Sequence, residues 1–132
     1  MVRPGWLTRW LGDAGERVAV RHLKRQGFRI VARNSRSRIG EIDVIAMDGD
    51  CIVFVEVKTR SSGEAGHPTE AVTRVKQQQL TRTALAWLKR RNLLEHRARF
   101  DVIAITWGDG RRPVVEHFRN AFEPTGRGQM FS

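Results

Sequence analysis

The sequence predicts an α/β fold, a mixed β-sheet flanked by helices. Three observations carry this. Two apolar runs, "EIDVIAM" (Glu41 to Met47) and "CIVFVEVKT" (Cys51 to Thr59), are separated by Asp48, Gly49 and Asp50, which reads as a hairpin. A long helical segment separates the second run from a third, "RFDVIAITW" (Arg99 to Trp107), as a crossover between parallel strands would. The resulting order, α-β-β-β-α-β-β, combines hairpins with one crossover and so implies a sheet of mixed direction.

Taken from the N-terminus, "MVRPGWLTRWLG" puts Trp6, Leu7, Trp10 and Leu11 on one face of a short amphipathic segment, about residues 1–12. Such a face suits packing on its own domain or on a second copy in a homodimer. The first clear helix is expected to start near Asp13, because "DAGE" has the spacing of a capping box ending at Glu16. Val18, Ala19, His22 and Leu23 continue one face, and Gly27 ends it. "FRIVARN" (Phe28 to Asn34) reads as a strand and "SRSRIG" as a basic loop. After the hairpin, "RSSGEAGHP" (Arg60 to Pro68) reads as a mobile loop of small residues. A helix follows, roughly Thr69 to Asn92. Beyond Trp107, "GDG" marks a turn and "PVVEHF" (Pro113 to Phe118) a last strand. A soft tail is expected from Pro124, about residues 124–132, and residues 1–132 read as one domain.

A chain of 132 residues with 40% hydrophobic content suits a modest core. Twenty-four Lys and Arg against 14 Asp and Glu give a net charge of +10. A surface that basic calls for an anionic partner, and nucleic acid is the usual one. Cys51 is the single cysteine, which excludes an intramolecular disulfide and fits a cytoplasmic setting. No run approaches the roughly 18 apolar residues of a membrane span, and the N-terminus lacks a secretory apolar core, so no membrane partner is expected. His22, His67, His96 and His117 have no zinc-ligand spacing. No glycine-rich loop precedes a helix in the way a triphosphate site needs.

Against this background Asp43, Glu56 and Lys58 stand out, because they interrupt strands otherwise built for burial. Side chains alternate along a strand, so Ile52, Phe54, Glu56 and Lys58 share one face, as do Glu41, Asp43, Ile45 and Met47. A loop of Gly49 and Asp50 puts Asp43 opposite Glu56. A loop of Asp48 and Gly49 puts it opposite Phe54, diagonal to Glu56. Either keeps the two acids on one face, whereas a three-residue loop separates them. Opposed Cβ atoms lie about 4.5–5.5 Å apart. Two carboxylates that close repel, and a divalent cation such as Mg²⁺, with oxygen ligands at roughly 2.0–2.1 Å, removes the conflict. Lys58 lies about 6.6 Å further along the strand. The plain alternative is a cross-strand salt bridge on a solvated face. The Ile, Val and Phe neighbours on both faces count against it, since buried charges seldom serve stability.

The Asp43…Glu56-Val57-Lys58 arrangement resembles the PD-(D/E)XK nuclease signature. The wider stretches "GERVAVRHLKRQGFRIVARN", "GEIDVIAMDGDCIVFVEVKTR", "HPTEAVTRVKQQQLTRTALAWL" and "RFDVIAI" resemble the YraN-like family, small bacterial proteins regarded as predicted endonucleases related to Holliday-junction resolvases. The resemblance covers about Gly15 to Ile105. It implies a restriction-endonuclease-like αβββαβ core, metal binding (Mg²⁺ or Mn²⁺) at Asp43, Glu56 and the Val57 carbonyl, and Lys58 as the catalytic lysine. It matches Glu16 to the helical glutamate of resolvase-type members, a second reading beside the capping box.

The expectation is therefore a metal-dependent endonuclease acting on DNA, with a non-catalytic nucleic-acid-binding protein of the same fold as the alternative. Lys58 would orient water or stabilise developing charge; a free-base role would need a pKa well below about 10.4. Candidate contacts to the substrate are Arg36 and Arg38 in the basic loop, Arg60 after the hairpin, and Arg74 and Lys76 on the long helix. Lys76 shares a stripe with Val72, Leu80 and Trp87, so it either snorkels from an apolar face or points into the site. Gln77, Gln78 and Gln79 are candidates for backbone contact only, and Asp101, at a strand start, reads either as structural or as a support behind the site residues.

Overall fold

The computed structural model describes residues 5–61, 72–108, 110 and 112–124, with side chains described from Gly12 onward. The order is α1 (Gly5–Arg25), β1 (Arg29–Arg36), β2 (Glu41–Asp48), β3 (Cys51–Ser61), α2 (Arg74–Arg90), β4 (Ala98–Trp107) and β5 (Val114–Phe122). This is the expected α-β-β-β-α-β-β order, an αβββαβ core followed by β5. The strands form one sheet in the order β1-β2-β3-β4-β5. β3 and β4 run parallel through the α2 crossover, and every other neighbouring pair is antiparallel.

Alternation along the central strands feeds two cores. Val44, Ala46, Val53 and Val55 pack with Ala19, Val20 and Leu23 of α1. Ile45, Ile52 and Phe54 pack with Leu80, Ala84, Trp87 and Leu88 of α2. The helices thus cover opposite faces of the sheet, as a sheet buried on both sides requires. Gly15 lets α1 approach closely, since a Cβ there would collide with Cγ2 of Thr59 on β3. Cys51 is a buried core residue, as expected.

Several boundaries differ from the sequence expectation. α1 starts at Gly5, so Asp13 and Glu16 lie inside a continuous helix and no capping box forms there. No proline interrupts the chain between Gly5 and Arg25. β1 runs on through Ser35 and Arg36, because it stays paired with β2 as far as Arg36–Glu41. The basic loop shrinks accordingly. α2 begins at Arg74 behind the N-cap Thr73, whose hydroxyl accepts from the Lys76 N–H. β5 reaches Phe122, past the expected Phe118. The side chains of Trp6, Leu7, Trp10 and Leu11, His67 with residues 62–71, and the tail from residue 125 lie outside the described residues. No helix of the described residues is long and apolar enough to cross a membrane.

Candidate active site: a fork in the sheet

The hairpin loop is Gly49 and Asp50, since Asp48 pairs with Cys51. Gly49 adopts φ +60°, the left-handed conformation that a two-residue hairpin with glycine first demands. The register then runs to Val44–Val55 and stops. Beyond it β2 stays paired with β1 to Glu41, and β3 with β4 to Ser61. The sheet therefore forks, with the next positions on either side occupied by Asp43 and Glu56.

Opening a ladder leaves backbone groups to be satisfied. Here Oδ2 of Asp43 accepts the Val57 N–H at 2.8 Å, so the acid caps the opening and is fixed by it. Strict alternation would put Asp43 beside Ile45. Instead Ile42 joins Ile45 in the α2-side core, and Asp43 lines a cleft on the α1 side. The side-chain pattern slips by one at Asp43. The expectation that both acids share one face is therefore not met: Asp43 turns to the α1 side while Glu56 meets Lys76 of α2, and the two carboxyls are neighbours only across the fork, close enough for Asp43 to raise the Glu56 pKa.

Glu56 is 6% exposed. Nζ of Lys58 and Nζ of Lys76 each lie 3.8 Å from the same oxygen, Oε2. Lys76 thus carries its charge to Glu56 from a side chain that is 34% exposed. The Glu56 carboxyl is pushed up to about 7, first by burial, then by the charge of Asp43, while Lys76 and Lys58 pull the other way. Glu16 is buried, with its carboxyl raised by burial and by Asp43. Its Oε1 accepts from Nδ2 of Asn34 at 2.9 Å and lies 3.4 Å from Nε of Arg33. Asn34 reaches it from a left-handed kink in β1, φ 50°. Sequence reading did not single out Asn34, although an asparagine at a strand kink is a known compromise with positive φ.

The cleft beside the fork has a volume of 380 Å³ and is lined by Asp13, Glu16, Asn34, Arg36, Asp43 and Val57, among others. Among the described residues no three carboxylate, imidazole or thiolate side chains converge as a ready ligand set. What the fork offers is the Asp43–Glu56 pair and the main chain at Val57.

Of the expected substrate contacts, Arg36 lines the cleft but pairs with Glu41 at 3.2 Å. Arg38 and Arg74 are exposed. Arg60 donates to Thr106 Oγ1 at 3.2 Å. Two of the three glutamines hold protein backbone: Gln77 donates to the Val72 carbonyl and Gln79 to that of Ile39, tying the β1–β2 loop to α2.

A second polar cluster lies on β4 and β5. Asp101 is fully buried and accepts from Arg99 at 2.9 and 3.3 Å, from His117 Nε2 at 2.8 Å and from the Asn120 N–H at 2.9 Å. His117 Nδ1 meets His22 Nε2 at 3.1 Å. The structural reading of Asp101 fits this geometry.

The Glu56 carboxyl links the site to stability. The folded chain keeps a proton there that the unfolded chain, titrating near 4.5, has lost. Stability from this group is full below about pH 4.5 and falls as pH rises toward 7. The gap corresponds to roughly 3 kcal/mol at pH 8. Glu56→Gln is therefore expected to be more stable than wild type at pH 8 without divalent ions, and near equal at pH 4.5. Urea midpoints at both values check this, and a wild-type midpoint that does not fall with pH contradicts it.

A mixed sheet that forks around two acids, with two lysines at one carboxylate oxygen, defines an α/β protein built around an acidic pair. The chain belongs to the uncharacterised protein family UPF0102, whose model matches residues 15–105. A UPF0102 protein of Geobacter metallireducens is 53% identical over 113 residues, 86% of this chain and 92% of that one. One from Rhodococcus opacus is 49% identical over 112 residues, covering 85% and 95%. One from Anaeromyxobacter dehalogenans is 46% identical over 117 residues, covering 89% and 87%.

Proposed function

We propose that the fork is the active site of a metal-dependent endonuclease that hydrolyses phosphodiester bonds in DNA, with branched or otherwise structured DNA as the class to test first. The observation that carries this reading is the meeting of Asp43 and Glu56 at the fork with Lys58 and Lys76 on one carboxylate oxygen. The resemblance to PD-(D/E)XK nucleases and the net charge of +10 support it.

The donor set fits a hard divalent cation. Asp43, Glu56 and the Val57 carbonyl are oxygen donors, and the reluctance of Glu56 to ionise is what a neighbouring 2+ charge would relieve. Mg²⁺ or Mn²⁺ held by these groups would supply an acidified water and Lewis-acid contact with phosphate. The chain itself supplies the rest. The Val57 N–H fixes the Asp43 carboxylate, so its orientation is set before substrate arrives. Lys58 offers a preorganised positive charge to the developing negative charge of the transition state. Lys76 brings a second cation from α2, suited to a phosphate oxygen. Glu16 faces the same cleft as Asp43 and, with Arg33 and Asn34, shapes its wall.

The test is a cleavage panel of duplex, single-stranded, flap and four-way DNA with Mg²⁺ and Mn²⁺, alongside calorimetric metal titration. Wild type is expected to take up metal and cut at least one structured substrate. Asp43→Ala should do neither. Metal uptake and DNA binding without cleavage across the panel would replace this reading with that of a non-catalytic nucleic-acid-binding protein.

A further inference from the structure

α1 lies between two clefts. Asp13 and Glu16 face the catalytic one. Val18, Arg21, His22 and Arg25 face another, of 570 Å³, closed on its far side by Arg112, Pro113 and Val115 at the start of β5. The spacing 18, 21, 22, 25 is one stripe of a helix, on the flank of α1 away from the fork.

The second cleft has no acidic residue in its lining. Among the described residues Arg21, Arg25 and Arg112 form no ion pair, whereas Arg33, Arg36, Arg97, Arg99 and Arg119 each have a carboxylate partner. Three guanidinium groups in one concavity repel, and among the described residues no carboxylate pairs with them. The fourth polar group, His22, is anchored by His117 and so by Asp101. Its pKa is lowered, first by burial, then by His117, Arg119 and Arg25, which reports the positive field there. Between the clefts α1 exposes Arg17, Arg21 and Lys24. A basic surface therefore runs from the catalytic cleft, over α1, into the second cleft.

We infer that the cleft between α1 and β5 holds the phosphodiester backbone of a nucleic acid away from the bond that the fork would cut. The choice of occupant rests on the nuclease reading, while the site rests on its own geometry. A helix is about 10–12 Å across with its side chains, and duplex DNA rises about 3.4 Å per base pair. The phosphates held here lie about three base pairs or more from the catalytic cleft. The cleft extends the footprint of the protein without taking part in chemistry.

The experiment is equilibrium binding of a fluorescein-labelled 30-base-pair duplex by anisotropy, in EDTA and over a salt series, so that no cleavage is needed. Arg21→Gln/Arg25→Gln/Arg112→Gln is expected to weaken binding about tenfold or more, and to lower the log–log salt slope by roughly 2 to 3, about 0.9 for each phosphate released. The Lys version of the same triple variant should keep the wild-type slope. Arg82→Gln/Arg90→Gln, on exposed positions of α2, should leave it nearly unchanged. Metal uptake by the triple Gln variant should equal that of wild type. An unchanged slope in that variant, or an equal loss in the α2 pair, overturns the assignment of this cleft and leaves the nuclease reading standing. A wild type that binds no DNA under any salt condition overturns both.

Discussion

Replacing Asp101 by alanine should destabilise the protein by about 3–5 kcal/mol, the usual result of breaking a buried ion pair from one side. Asp101 is 0% exposed and ties β4 to β5 directly, and to α1 through His117 and His22. It takes both ends of the Arg99 guanidinium, the His117 ring and the Asn120 N–H. Burial alone would raise its pKa, but the hydrogen bonds from His117, Arg99 and Asn120 outweigh it and hold the carboxyl below its ordinary range. A lowered folded pKa means that this stability is present above the unfolded value, near 3.8, and is lost as pH falls through the folded one. Alanine would strand the Asn120 N–H and the His117 ring and leave Arg99 with Asp48 alone, at 2.9 Å. Urea unfolding followed by tryptophan fluorescence at pH 7 reads the loss. A change below about 1 kcal/mol would mean that water replaces the carboxylate and that the cluster does not hold β4, β5 and α1 together.

That cluster also shows where sequence reading stops. Asp101 reads as structural from its apolar neighbours, but nothing local shows that His117 and His22, 95 residues apart, meet beside it. Their meeting depends on β5 pairing with β4 and on α1 crossing that end of the sheet. The hairpin is the opposite case. Alternation over eight or nine residues and a glycine in the turn leave few registers, and the structure takes the one that closes the loop at Gly49 and Asp50 and ends at Val44–Val55, one position short of the two acids. The slip at Asp43 was not legible, because it exists only where the sheet forks. The capping-box pattern at Asp13 misled for a related reason: the same residue spacing occurs inside a helix, and only what precedes it decides whether the helix has already begun. Lys76 depended on how α2 is turned against the sheet. Its stripe of Val72, Leu80 and Trp87 put it near the core side, and Glu56 supplies the partner that brings the charge in.

The two lysines on Glu56 Oε2 are expected to separate under mutation. Both lie 3.8 Å from that oxygen, so distance alone does not tell them apart. Lys58 belongs to the strand that carries Glu56 and is fixed with it, whereas Lys76 reaches in from the first turn of α2. Lys58→Ala should keep metal uptake and DNA affinity but cut slower by about 10²–10³, the roughly 2.7–4 kcal/mol typical of removing one preorganised charge from a transition state. Lys76→Ala should act mainly on binding, lowering the salt slope by about 1 as one phosphate contact is lost. Either change removes a charge that lowers the Glu56 pKa, so metal uptake in both variants should need a higher pH than in wild type. Because they share a partner, their effects on that pH should not add. Single-turnover cleavage, anisotropy and calorimetry on the two single variants and the double variant resolve these cases. Wild-type cleavage by Lys58→Ala would place the activity at another site. Unfolding of Lys58→Ala would make the lysine–glutamate pair a support for the sheet, with the fork then serving stability rather than chemistry.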